Sequence, residues 1–207
     1  MYDYSRYICV TNRHLYRDAG GSECTIDEYL QHIKRISVLH PFAIILREKD
    51  MEDEEYCELA KRVMDICDKE RGLIYVHSNV NAAKQSGCNN IHFSIDELRR
   101  GYREDMHILD TFENISVSCH SMEEVKEAVS MGVSLIVLGT IFETQCKPGL
   151  IGKGLDYVRE ICQYVKGENQ DIRVFAIGGI NPGNINRVIE AGADGGCMMS
   201  WFMQNKG

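Results

Sequence analysis

Eight short apolar runs recur along this chain, separated by amphipathic stretches with helical spacing, and no other feature constrains the fold as much. The candidate strands are Tyr7–Thr11, Phe42–Leu46, Leu73–Val76, Asn90–Phe93, Asn114–Ser118, Leu135–Leu138, Arg173–Ile177 and Gly195–Met199. Most are continuously apolar, as parallel strands buried on both faces must be. Between them, Ile26, Tyr29, Leu30 and Ile33 form one helical stripe, Tyr56, Leu59, Ala60, Val63 and Cys67 a second, and Leu155, Val158, Cys162 and Val165 a third. Thr25 with Glu28 and Ser121 with Glu124 have capping-box spacing. Asn181-Pro182 reads as an N-cap followed by a first-turn proline, and Gly192 as a helix stop.

Alternating strands and helices imply a parallel sheet, either closed into a (β/α)8 TIM barrel or open and doubly wound. With 207 residues, each of eight βα units has about 26, enough for the closed form. The strand count favours the barrel, and no GxGxxG follows the first strand, where a dinucleotide site would need it. Only Trp201–Gly207 follow the last strand, so the closing helix is expected to be short or missing. No linker-like tract divides the chain, and residues 1–207 read as a single barrel domain.

Composition excludes several function classes. The net charge of −8 argues against non-specific nucleic-acid or membrane-surface binding. No apolar run approaches the roughly 20 residues of a membrane span, and the polar N-terminus is unlike a secretory signal. The nine cysteines include no CxxC pair, and Cys9, Cys57, Cys67, Cys119, Cys162 and Cys197 lie in apolar stretches. A reducing, cytoplasmic location is the resulting expectation. The apolar tail Trp201-Phe202-Met203, with little chain left to cover it, suggests a homodimer.

Barrel active sites lie at the C-terminal strand ends, so the residues there are the candidates. After the second strand, Leu46-Arg47-Glu48-Lys49-Asp50 offers two cations with strand alternation, suited to a phosphate or carboxylate; the same pattern fits a solvated, self-paired charge run. After the fifth strand, Ser116, Ser118 and His120 share one side, and His120 is either a proton-exchanging group or a structural histidine. After the sixth comes the longest polar loop, Gly139 to Gly149, a binding loop or a plain connector. The seventh strand ends in Gly178-Gly179 and the eighth near Ser200, the usual phosphate position in this fold. His77 is well placed but isolated, His92 inside its strand reads as buried and hydrogen-bonded, and the remaining histidines lack metal-ligand spacing.

Together LREKD, SVSCHSMEEV, LGTIFETQCKPGL and AIGGINPGN followed by AGADGGCMMS resemble the thiamine phosphate synthase superfamily, in order along nearly the whole chain. The resemblance implies a (β/α)8 barrel with one of two activities. Thiamine phosphate synthase joins an aminopyrimidine diphosphate to a thiazole phosphate, with magnesium on the diphosphate. The TenI-like branch includes thiazole tautomerase, an isomerase that aromatises the thiazole carboxylate phosphate without a metal. Where the synthase pattern has Gln before Leu-Arg-Glu-Lys, this chain has Ile45, and where it has Asn-Asp after the third strand, this chain has His77-Ser78. The segment that supplies the other magnesium ligand reads Ser94-Ile95-Asp96-Glu97. Phe142-Glu143-Thr144-Gln145-Cys146-Lys147 and Gly149-Leu150-Ile151-Gly152-Lys153-Gly154 match the TenI-like pattern.

Ser78 cannot replace an aspartate's charge toward a hard cation. The resemblance therefore implies a metal-independent TenI-like enzyme of thiamine biosynthesis, thiazole tautomerase in particular, with no cofactor and a phosphorylated thiazole as ligand. In that reading His120 moves the proton, Arg47, Lys49, Ser118, Thr144 and Lys147 bind substrate, and Gly178, Gly179 and Ser200 hold the phosphate. The alternatives are thiamine phosphate synthase, with magnesium, and a non-catalytic ligand-binding or regulatory protein.

Overall fold

Each apolar run of the sequence becomes a strand, and each amphipathic stripe a helix laid against it. The computed structural model describes residues 3–17, 20–67, 72–104, 106–144, 149 and 151–204. In chain order it contains β1 (Tyr7–Val10), α1 (Ile26–Val38), β2 (Ala43–Leu46), α2 (Asp53–Ile66), β3 (Leu73–His77), α3 (Val80–Ser86), β4 (Asn90–Ser94) and α4 (Ile95–Glu104). There follow β5 (Asn114–Cys119), α5 (Met122–Ser130), β6 (Leu135–Gly139), α6 (Gly154–Glu168), β7 (Arg173–Ile177), α7 (Ile185–Glu190), β8 (Gly195–Met198) and α8 (Ser200–Gln204). The strand order is that of a closed parallel (β/α)8 barrel. The chain divides into two compact units, Asp3–Ile91 with Met199–Gly207, and His92–Met198.

In the first unit β1, β2 and β3 pair in parallel, with Cys9 opposite Ile44 and Ile44 opposite Ile74. Of the stripes read from the sequence, α1 buries Tyr29, Leu30 and Ile33, with Ile26 half-buried and Ile36 buried in addition, and α2 buries Tyr56, Leu59, Ala60 and Val63, with Cys67 buried just past its end. The Thr25–Glu28 capping box is complete: the Thr25 side chain accepts from the Glu28 amide, and the Glu28 carboxylate accepts from the Thr25 amide at 2.9 Å. The final helix is short, as expected, but the apolar tail is not an exposed patch. Phe202 and Met203 are buried, and Tyr4, Tyr7, Trp201 and Phe202 form an aromatic cluster with ring centroids 4.9–6.4 Å apart. The His32 ring bonds the Phe202 carbonyl at 2.8 Å. The homodimer expected from this tail therefore loses the surface that suggested it.

In the second unit β5, β6, β7 and β8 pair in parallel, Ser118 lying opposite Val137 and Gly139 opposite Ile177. Two local expectations need correction. Ser121 accepts from the Glu124 amide, but the Glu124 carboxylate takes the His120 amide instead of closing the box on Ser121. Asn181-Pro182 does not start a helix. The Asn181 side chain accepts from Gly183 N at 2.8 Å and its carbonyl from Asn184 N at 3.1 Å, so a turn comes first and α7 begins at Ile185. An asparagine that caps a turn satisfies the same backbone groups as one that caps a helix, and the sequence signal for the two is alike. Gly192 does stop α7, at φ +106°. Among the described residues no helix is long and apolar enough to cross a membrane.

Candidate functional site

The end of β6 and the end of β7 are built on each other. Ile141 N donates to the Ile177 carbonyl at 2.9 Å, and Phe142 N to the Gly178 carbonyl at 3.0 Å. This lays residues 140–143 directly over the glycine pair, whose φ values are +99° at Gly178 and +66° at Gly179. A Cβ on Gly178 would lie 2.3 Å from Thr140 Cγ2, and one on Gly179 2.5 Å from the Glu143 carbonyl. Glycine is required at both positions by backbone conformation and by the approach of this loop. Asn184 Nδ2 donates to the Gly179 carbonyl at 2.8 Å and fixes the far side of the turn. The Arg187 guanidinium stacks on the Phe142 ring, 5.1 Å from its centroid.

His120 joins this assembly through Gly139. Its Nδ1 lies 3.0 Å from the Gly139 carbonyl oxygen. A carbonyl only accepts, so Nδ1 carries the proton, and in the neutral ring Nε2 is the acceptor. The backbone of His120 is held at both ends, its amide by Glu124 and its carbonyl by the Lys153 ammonium. Beneath it β5 places Ser116 and Ser118 on one side, as strand alternation predicts. His92 of β4, buried as expected, bridges them: Nδ1 to Ser116 Oγ at 2.7 Å and Nε2 to Ser118 Oγ at 2.9 Å. Thr144, the last described residue before the undescribed 145–148, is half-buried, and Cys146 and Lys147 lie outside the described residues. His120, Gly178 and Gly179 thus meet at the Gly139–Glu143 segment, and Ser118 lies on β5, two residues before His120.

Arg47, Lys49 and Ser200 belong to the other unit. Arg47 is half-buried and Lys49 exposed, while Glu48 between them is turned inward and 5% exposed. The Glu48 carboxylate accepts from Thr11 Oγ1 and Tyr29 Oη, each at 2.7 Å, and from Arg13 N at 2.9 Å. Thr11 Oγ1 in turn accepts from Arg47 N at 2.9 Å, so the buried carboxylate sets the backbone that carries Arg47. Burial, with Glu48 alongside, pushes the Tyr29 phenol well above its ordinary range. Sequence reading missed Glu48 as the organising residue; its inward position in the Arg-Glu-Lys alternation was the available signal. Ser200 opens α8 and is half-buried.

A second network lies outside it. Arg13 makes a two-pronged ion pair with Asp50, at 2.7 and 2.6 Å, and His14 bridges Asp50 at 2.7 Å and Glu23 at 3.2 Å. Arg13, then His14, holds the Asp50 carboxyl well below the ordinary carboxylate range. Asp50, then Glu23, raises His14 above its ordinary 6.5, so the stabilisation from protonated His14 is complete below that value and lost as pH rises through the raised one. An NMR titration should place the His14 midpoint above 6.5, and Asp50→Asn should lower it. A midpoint unmoved by Asp50→Asn would mean the contact is not formed in solution.

Of the residues that the resemblance sets at magnesium positions, Ser78 carries no carboxylate, and the carboxylates of Asp96 and Glu97 already have partners of their own. Ser78, at φ +61°, has its hydroxyl 2.7 Å from His77 Nδ1. The Glu97 carboxylate accepts from Ser94 N at 2.8 Å and Ser94 Oγ at 2.7 Å, closing a capping box that the Ser-x-x-Glu spacing would have revealed. Asp96 pairs with Arg99 at 2.8 Å. Among the described residues no group of three or more His, Cys, Asp or Glu is arranged to hold a metal ion.

Residues 18–202 match the family model described as thiamine monophosphate synthase. The chain belongs to the thiamine monophosphate synthase family. It is 32% identical over 188 residues to the thiamine-phosphate synthase of Acidothermus cellulolyticus, covering 90% of this chain and 81% of that protein. It is 28% identical over 158 residues to that of Nostoc sp., covering 76% of this chain but only 43% of the longer relative. The thiamine phosphate pyrophosphorylase of Pyrococcus furiosus has the same fold, with a TM-score of 0.74, 23% identity, and coverage of 99% of this chain and 90% of that one. These relatives overturn the expectation of an isomerase. They are named for a synthase, which is a transferase, and further relatives bear the same name. The short loop segment at Phe142–Gly154 that suggested the tautomerase is outweighed by likeness along most of the chain.

Proposed function

We propose that this member of the thiamine biosynthesis family is a transferase of the thiamine-phosphate synthase type, joining an aminopyrimidine diphosphate to a thiazole phosphate. The observation that carries the reading is the turn at Gly178–Gly179, held under the Thr140–Glu143 loop and linked through Gly139 to His120. Such a turn suits a phosphate approaching the backbone. The thiazole phosphate would lie there, with the Nε2 acceptor of His120 along its ring and the Ser118 hydroxyl toward a phosphate oxygen of the bound substrates. In the transfer, the thiazole nitrogen forms a bond to the pyrimidine's methylene carbon as the bond from that carbon to the diphosphate oxygen breaks. The electron pair leaves with pyrophosphate. Arg47, Lys49, Thr144 and Lys147 are the side chains proposed to bind substrate, and Ser200 to hold phosphate. No step is routed through magnesium, because Ser78 and the tied carboxylates of Asp96 and Glu97 do not supply its ligands.

Ser78 also favours a second reading, in which the chain binds the phosphorylated thiazole without transfer. One assay separates the two. Purified protein given both substrates should release thiamine phosphate and pyrophosphate, at a rate that chelation changes less than about tenfold, or about 1.4 kcal/mol in barrier. Absence of product, with thiazole phosphate still bound by calorimetry, would leave the binding reading.

A further inference from the structure

The buried histidine His92 has a hydrogen-bonding partner on each ring nitrogen, and the two partners are not equivalent. Ser116 is 0% exposed, and among the described residues its hydroxyl has one partner, His92 Nδ1 at 2.7 Å. Ser118, at 2.9 Å from Nε2, is half-buried and lies nearer the strand's C-terminal end, on the side of His120. A hydroxyl enclosed in protein must place its proton on an acceptor or lose a hydrogen bond that water would have made. For Ser116 the acceptor is Nδ1, which must therefore be unprotonated. Neutral imidazole then carries its proton on Nε2 and donates it to Ser118 Oγ. With its oxygen already accepting, Ser118 keeps its own proton for a partner outside the pair. The opposite tautomer would leave the Ser116 proton facing another N–H. A doubly protonated ring would do the same.

We infer that His92 is a positioning residue, locked by Ser116 in its Nε2–H tautomer so that the Ser118 hydroxyl donates to an anionic oxygen of the bound ligand. This deepens the proposed function, since it rests on a phosphorylated ligand reaching Ser118. It also assigns a task to Ser116, which is fully enclosed in protein. A serine with its polarity fixed discriminates: its one proton goes to a phosphate oxygen, while a ligand N–H meets only its remaining lone pair.

The test uses the full chain. Nitrogen-15 NMR near neutral pH, with the His92 resonances assigned by their loss in His92→Gln, should show the Nε2–H tautomer. In Ser116→Ala the Nδ1–H tautomer should appear. Inorganic pyrophosphate and thiazole phosphate are the binding probes. Ser118→Ala should weaken the probe that contacts it by about tenfold, the worth of one charge-assisted hydrogen bond, and Ser116→Ala by about three- to tenfold. The double variant should be no weaker than Ser118→Ala alone, because Ser116 acts only through Ser118. A wild-type Nδ1–H or imidazolium signal overturns the inference, and so do additive losses in the double variant. It also falls if neither probe binds. Because the wild-type spectrum decides the tautomer, a misfolded variant does not rescue it. Binding with the non-additive pattern but no transfer would sink the synthase reading and leave the role of His92 intact.

Discussion

Gly178→Ala should destabilise the protein by about 2–5 kcal/mol and weaken thiazole phosphate by 100-fold or more. Two costs combine. A left-handed backbone costs an L-residue about 1–2 kcal/mol, and Gly178 sits at φ +99°. The added methyl would lie 2.3 Å from Thr140 Cγ2 and 3.0 Å from Thr140 Cα. Relieving such overlap typically costs about 1–3 kcal/mol more. The backbone cannot yield locally, because Phe142 N bonds the Gly178 carbonyl itself at 3.0 Å and Ile141 N the preceding one. The loop must therefore lift from the glycine turn, which would dismantle the proposed phosphate position. Gly132 supplies the control. Its φ is +75°, yet a Cβ there meets nothing within 4 Å. Gly132→Ala should thus show the backbone cost of about 1–2 kcal/mol alone, with ligand affinity unchanged. Urea denaturation and calorimetry measure both. Equal stability losses in the two variants would mean that the loop does not rest on Gly178 in solution.

Glu48→Ala carries the second large effect, a loss of about 3–5 kcal/mol. The carboxylate is 5% exposed and receives hydrogen bonds from Thr11, Tyr29 and the Arg13 backbone. Its removal strands three donors around a small cavity, and each buried donor left without an acceptor costs about 1–3 kcal/mol, less where the cavity admits water. Glu48→Gln should cost less, about 1–3 kcal/mol, because the amide keeps one acceptor oxygen but turns its NH2 toward a donor. Both should weaken anionic ligands more than Lys49→Ala does, since Thr11 links Glu48 to the backbone of Arg47. Thermal and urea unfolding with pyrophosphate binding are the measurements. A Glu48→Ala protein as stable as wild type would show that the buried network is absent.

These two residues mark where sequence reading stops. The alternation of strand and helix is legible because it is local: buried parallel strands need continuous apolar runs, and core-facing helices need a 3.6-residue stripe. The Thr25–Glu28 box is legible for the same reason, both partners lying within one helical turn. The strand-end positions of His120, Arg47 and Gly178-Gly179 followed from the fold class alone. What the chain's order could not reveal is which distant group answers each polar atom. Glu124 has the spacing to cap Ser121 but takes the His120 amide, because the strand end brings that donor within reach. Glu48 looked like one charge in a surface run until Tyr29, 19 positions earlier, and Thr11, 37 earlier, closed around it. Phe202 and Met203 looked uncovered until Tyr4, Tyr7 and His32 met them from the far end of the sequence. Periodicity and capping are set by neighbours along the chain and can be read from it. Burial, tautomer and ion pairing are set by neighbours in space, and only the closed strand order supplies those.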